Sequence, residues 1–216
     1  MSILTKLPKR EDIDYPDSDG QPMSDNTLQF EWIVTIEGGL EALFRNDPNV
    51  FVAGDLLWYP AKGDNTVRTA PDAMVVFGRP KGYRGSYKQW EEENIGPQVV
   101  FEVLSPGNRL ADMVRKFQFY NRFGVEEYYV YNPDKIDLEG WLRKDGELQE
   151  ITDPLPWISP RLQVRFELAE EALRIYGPDG KPFSTYVELV DQREKERLRA
   201  ERLAAQLRAL GLEPEG

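Results

Sequence analysis

Apolar positions recur along the chain with two different periods, and the switches between them mark out the elements. Leu28, Trp32, Ile33, Ile36, Leu40, Leu43 and Phe44 fall three or four residues apart, the spacing that lines one face of a helix. Ser24 or Asp25 can cap that helix, which the pattern starts near Asn26, and Asn46-Asp47-Pro48 ends it. Gly38-Gly39 weakens the helix without abolishing it. Val50–Tyr59 and Ala73–Phe77 then read as strands, and a loop rich in Gly, Lys and Tyr runs from Gly78 to Pro97. Gln98–Leu104 is a short apolar run suited to a buried central strand. After the turn Ser105-Pro106-Gly107-Asn108, helical periodicity returns through Met113, Phe117 and Tyr120 until Gly124. Glu127–Tyr131 is a second buried strand, and shorter strands are expected at Gly140–Arg143, Leu148–Thr152, Leu162–Leu168 and Ala172–Tyr176.

The two ends have a different character. Residues 1–25 hold six acids with Pro16, Gly20 and Pro22, which predicts a flexible acidic arm with little packing. From Thr185 the chain carries dense alternating charge, with Leu203, Leu207 and Leu210 on one stripe. That pattern predicts a solvated helical tail over 185–216, able to form a short coiled coil. The region 26–184 remains as the folded domain.

Composition limits the chemistry. The 216-residue chain contains neither Cys nor His, which excludes disulfides, thiolate zinc sites, cysteine nucleophiles, Ser-His-Asp triads and HExxH metalloproteases. Carboxylates, Lys, Tyr, Ser and hard cations bound by oxygen remain available. No apolar run is long enough for a bilayer helix and the first residues lack a signal-peptide pattern, so the expectation is a cytoplasmic protein without a membrane partner. A net charge of −11 argues against dedicated non-specific binding of nucleic acid.

Within that chemistry, Glu102 is the most informative residue. It is the one charge inside Val99–Leu104, and a buried carboxylate must be paired, protonated or bound to metal. Asp72 follows Pro71 at the mouth of the Ala73–Phe77 strand. Asp112 and Lys116, four apart, share a face of the helix that follows Glu102's strand. Clustered oxygens of Asp72 and Glu102 suit Mg²⁺ or Mn²⁺, while Lys116 orients or activates a water or stabilises charge on a phosphoryl oxygen. Arg79, Lys81, Arg84 and Lys88 alternate with Tyr83, Tyr87 and Trp90, a composition suited to phosphates and stacked bases. Arg109 and Arg115 add positive charge next to the proposed site.

The segments APDAMVVFG and VVFEVLSPGNRLADMVRKFQFYNRFGVEEYYVYNP resemble the Uma-two family of putative restriction endonucleases, in the PD-(D/E)XK superfamily. FRNDPNVFVAGDLLWYP and GYRGSYKQWEEE are similar to it as well. The resemblance implies an α/β, restriction-endonuclease-like fold: a mixed central sheet flanked by helices, here with a C-terminal helical tail. It implies a Mg²⁺-dependent endonuclease acting on DNA, commonly as a homodimer. Asp72 and Glu102 match the metal carboxylates, and Lys116 matches a lysine displaced to the following helix, with Asp112 beside it as a positioning group. The usual position of that lysine, two residues after the glutamate, is Leu104. A first-helix His of the family aligns with Gln29, and Glu31 or Glu37 could supply a first-helix glutamate. The alternative is a nuclease-fold binding or scaffolding protein whose chemistry has lapsed.

Overall fold

The computed structural model describes residues 13–153 and 155–210. In chain order it contains α1 (Thr27–Leu43), β1 (Val50–Ala53), β2 (Trp58–Tyr59), β3 (Ala73–Phe77), β4 (Tyr87–Lys88), β5 (Val99–Val103), α2 (Leu110–Arg122) and β6 (Glu127–Asn132). There follow β7 (Asp137–Lys144), β8 (Glu147–Glu150), β9 (Trp157–Ile158), β10 (Arg165–Leu168), β11 (Leu173–Tyr176) and α3 (Tyr186–Ala209). Six strands form one mixed sheet in the order β1-β3-β5-β6-β7-β8. All neighbours are antiparallel except β5 and β6, which run parallel. α2 is the crossover between those two strands, the arrangement a parallel pair requires.

Alternation along the strands builds two cores. Val99, Phe101 and Val103 of β5 join Tyr129 and Tyr131 of β6 beneath Ile33, Ile36 and Leu40 of α1 and Phe166 of β10. Val100, Met74, Val76, Tyr128 and Val130 face the other way, onto Tyr120 of α2 and Trp58. Glu102 follows Val100 by two residues and therefore lies on the α2 face. The register pairs Ala73 with Phe101 and Met74 with Val100, so Asp72 continues the ladder opposite Glu102. A sheet covered by α1 on one face and α2 on the other is the α/β, restriction-endonuclease-like architecture expected from the sequence.

Several boundaries differ from the sequence pattern. Asn26, rather than Ser24 or Asp25, caps α1, its side chain accepting from the Gln29 amide. The expected Val50–Tyr59 strand divides: Gly54-Asp55 breaks it, and Trp58–Tyr59 leaves the main sheet to pair in parallel with Tyr87–Lys88. Asp55 takes a left-handed φ of 47° at this break, which alternation could not reveal. Gly39 has a packing reason within α1, because a Cβ there would collide with the Phe183 ring.

Residues 13–25 are not loosely held. Tyr15 packs edge-on against Tyr59 at 5.2 Å and at a tilt against Trp90 at 4.8 Å. The Tyr59 hydroxyl donates to Pro16 O at 2.7 Å, and Ser86 Oγ donates to Asp17 at 3.1 Å. Further on, Ser105 Oγ donates to Asp25 at 2.5 Å. The segment is a strap from the β2/β4 pair to the turn after β5, and residues 1–12 of the expected arm lie outside the described residues. α3 begins with a capping box formed by Thr185 and Glu188. It buries none of its residues. No helix of the described residues is long and apolar enough to cross a membrane.

Candidate active site

Asp72, at the start of β3, and Lys116 line a cleft of about 500 Å³, and Glu102, on the neighbouring strand β5, lies beneath them. Glu102 is 3% exposed, and both its oxygens are engaged. Tyr120 OH donates to Oε1 at 2.5 Å, and Lys116 Nζ donates to Oε2 at 2.5 Å. Lys116 and Tyr120 are four apart on α2, hence on one face, and both reach back toward the sheet. Asp72, 9% exposed, accepts from the Val103 amide through Oδ2 at 2.6 Å. Its other oxygen takes no hydrogen bond among the described residues, and the side chain lines the cleft.

The electrostatics follow from the count of charges. Burial, then the neighbouring Glu102 carboxylate, push Asp72 well above the ordinary aspartate range, and Lys116 offsets only part of this. Burial also raises Asp55, with Asp19 adding to the effect. Burial opposes the charge on Lys116, but Glu102, Asp72 and Asp55 outweigh it, and its pKa is raised. Lys116 is therefore a protonated donor rather than a base. One ammonium serves three carboxylates in a confined site, which leaves an excess of negative charge that a cation would relieve.

That excess has a consequence for stability. A carboxyl group whose pKa is raised by folding costs stability once pH rises above its unfolded value, and the full cost is present above its folded value. Asp72→Asn retains an oxygen for the Val103 amide and removes the repulsion. The variant is expected to melt higher than the parent at neutral pH, by about 2–4 °C per kcal/mol relieved. The difference should close as pH falls toward the ordinary aspartate value of about 4. Thermal melts across that range check it; a variant less stable than the parent at neutral pH contradicts the electrostatic account.

Mg²⁺ takes one or two carboxylates and keeps several waters. The site offers hard oxygens of that kind: the open Asp72 oxygen, and Glu102 Oε2 if Lys116 releases it. Among the described residues no group of three or more acids or other ligands is placed to hold a metal, a condition Mg²⁺ does not impose. In donor type and charge the residues fit the cation.

Other predicted positions separate. Gln29 belongs to the site: its Nε2 donates to Val103 O at 2.7 Å and its Oε1 accepts from the Asp25 amide at 2.8 Å. Glu31 points elsewhere, into a groove with Trp32, Phe183 and Glu188. Glu37 packs against Gly54, its carboxyl raised by burial and then by Glu41, and it does not line the cleft. Asp112 pairs with Arg115 and not with Lys116, whose ammonium is bound to Glu102 instead. The basic loop is largely neutralised. Arg79 and Arg84 bind Glu92 at 2.9 and 2.6 Å, and Lys81 binds Glu41 at 2.9 Å. Lys88 lies 5.9 Å from the Tyr15 ring centroid. Arg109 forms no ion pair among the described residues and sits beside Asn108, which lines the cleft.

Sequence reasoning missed four charged members of the cleft wall, Asp19, Asp25, Asp55 and Arg68, and the contact of Tyr120 with Glu102 beneath it. The first two belong to a segment whose composition resembles an unstructured arm. Asp55 carries the signature of an ordinary Gly-Asp turn. Only Tyr120 had a legible signal, its four-residue offset from Lys116.

The family model described as "Uma2: Putative restriction endonuclease" matches residues 5–171. The chain belongs to the Uma2 family. A solved structure similar to this Uma2 member is the crystal structure of a putative nuclease belonging to DUF820 from Anabaena variabilis ATCC 29413. It is 14% identical with a TM-score of 0.46, over 62% of this chain and 72% of that one. No curated protein matches the sequence.

Proposed function

We propose that this Uma2 protein is a divalent-metal-dependent endonuclease that hydrolyses phosphodiester bonds in DNA. The observation that carries the reading is Asp72 and Glu102 side by side on adjacent strands, with Lys116 Nζ 2.5 Å from Glu102 at the floor of a cleft. Asp72 and Glu102 would hold Mg²⁺ or Mn²⁺, which when bound supplies a Lewis acid and an activated water. The chain's own residues do the rest. Tyr120 fixes Glu102 through Oε1, and the Val103 amide fixes Asp72 through Oδ2. Gln29 holds the Val103 carbonyl and so the backbone between the two carboxylates. Lys116, protonated, donates to a phosphoryl oxygen and stabilises the charge that grows there as the bond to the leaving oxygen breaks.

Supercoiled plasmid DNA incubated with the purified chain should be nicked or linearised with Mg²⁺ or Mn²⁺ and remain intact in EDTA. No cleavage of any DNA form under these conditions sinks the reading. A binding protein without chemistry is the rival, favoured by one observation: both oxygens of Glu102 are already committed. A ligand that binds only the folded state raises stability by about 2.7 kcal/mol at a hundredfold excess over its Kd. A melting temperature raised by Mn²⁺ supports the nuclease, and one that Mn²⁺ does not move supports the rival.

A further inference from the structure

The proposed substrate is a polyanion, yet four carboxylates line the cleft: Asp19, Asp25, Asp55 and Asp72. Two cations face them, Lys116 and Arg68. Lys116 is bound to Glu102. Arg68 has no ion pair among the described residues. Its side chain makes one hydrogen bond there, from Nη1 to the Tyr59 hydroxyl at 3.1 Å. A guanidinium carries five N–H donors in a planar fork, so most of its donor capacity is unspent.

The single bond it makes is a directional anchor. Tyr59 is fully buried, and its hydroxyl hydrogen is given to Pro16 O at 2.7 Å. The oxygen can therefore only accept from Arg68, and the ring is clamped by Tyr15. The backbone around Arg68 is fixed as well: Trp58 and Thr69 exchange hydrogen bonds of 2.8 and 3.2 Å in an isolated bridge. Arg68 and Asp72 lie four residues apart in the chain, a span of at most about 14 Å. A half-buried, anchored fork with spare donors, in a cleft otherwise dominated by acid, is built to receive an anion with two oxygens to offer.

We propose that Arg68 is the phosphate-binding residue of this cleft, holding a phosphodiester of the substrate strand within reach of Asp72 and Glu102. The inference rests on the nuclease reading for its ligand, but its test does not require cleavage. It also assigns the contact to a residue outside the basic loop, where Arg79, Lys81 and Arg84 are spent on Glu92, Glu93 and Glu41.

The test uses the full chain and a fluorescein-labelled oligothymidylate, with binding read by fluorescence anisotropy in EDTA and again with Ca²⁺. Arg68→Ala should weaken binding about tenfold or more and reduce the slope of log affinity against log salt by about one. Arg68→Lys should recover part of the loss, because an ammonium restores the charge but not the fork. In cleavage assays Arg68→Ala should raise KM more than it lowers kcat. If Arg68→Ala melts lower but binds the oligonucleotide as the parent does, Arg68 only anchors Tyr59 and the inference is overturned. Absence of oligonucleotide binding by the parent overturns it too. Binding that depends on Arg68 in a protein that cuts no DNA upholds the inference and removes the nuclease reading.

Discussion

Glu102→Gln should lower metal-dependent cleavage by about 10²–10³-fold, the usual cost of removing one electrostatic group from an active site. The substitution keeps an oxygen for the Tyr120 hydroxyl but loses the charge that faces both Lys116 and the proposed cation site. Asp72→Asn should fall by a similar factor, since Asp72 contributes the open oxygen. Two ligands of one cation act as a unit, so their losses do not add. The Asp72→Asn/Glu102→Gln double variant is therefore expected to be no slower than the worse single variant. Initial rates of plasmid nicking at saturating Mg²⁺ measure all three. A Glu102→Gln protein that retains most of the parent's rate would show that this carboxylate serves the fold alone.

Lys116→Met carries the largest expected effect on stability. Breaking a buried ion pair by removing one partner costs about 3–5 kcal/mol, because the remaining charge is left uncompensated. Here the remaining charges are Glu102 and Asp72, both buried. Lys116 is itself partly exposed at 30% of its side chain, so water screens part of the pair and the lower end of that range applies. Adding Glu102→Gln to Lys116→Met should restore much of the lost stability, since it removes the orphaned carboxylate. Urea unfolding midpoints of the single and double variants form the cycle that isolates this coupling. If the second substitution only adds to the damage, packing of the lysine stem, and not charge, holds α2 to the sheet.

Both predictions depend on one contact, and that contact was partly legible in the sequence. Glu102 stood out because it interrupts an apolar run, and the alternation placed it on one face of a buried strand. The helical period put Lys116 with Asp112 on one face of the next helix and Tyr120 with Met113 and Phe117 on its apolar side. The distance between that face and the sheet was not available from period alone, and Asp112 seemed an equally good partner for Lys116. The structure decides otherwise because Asp112 lies in the first turn of α2, partly exposed, where Arg115 reaches it. Lys116, one position further round the helix, points down to the strand.

The basic loop shows the same division. Its composition suggested a phosphate track, and three of its four bases, Arg79, Lys81 and Arg84, are internal ties. Glu92 and Glu93 follow the basic cluster closely in the chain, and the short 3₁₀ turn at Gln89–Glu91 folds Glu92 back onto Arg79 and Arg84. Arg68, which carries no sequence signal, ends as the cation facing the cleft without a carboxylate partner among the described residues.

By itself the sequence determined the chemistry available to this protein and the elements that carry it. The absence of His and Cys reduced the options to carboxylates, lysine and a hard cation, and hydrophobic period placed α1, β3, β5, α2 and β6 close to where they lie. These are local properties: composition and period are set within a few residues. Only the tertiary structure decided which charges meet. The pairing of Asp72 with Glu102, the choice of Lys116 over Asp112, the strap over the cleft and the lack of a carboxylate partner for Arg68 among the described residues all depend on which segments the fold brings together. Their energies are set by burial and by the count of opposite charges within a few ångströms, and neither quantity exists until the sheet has formed.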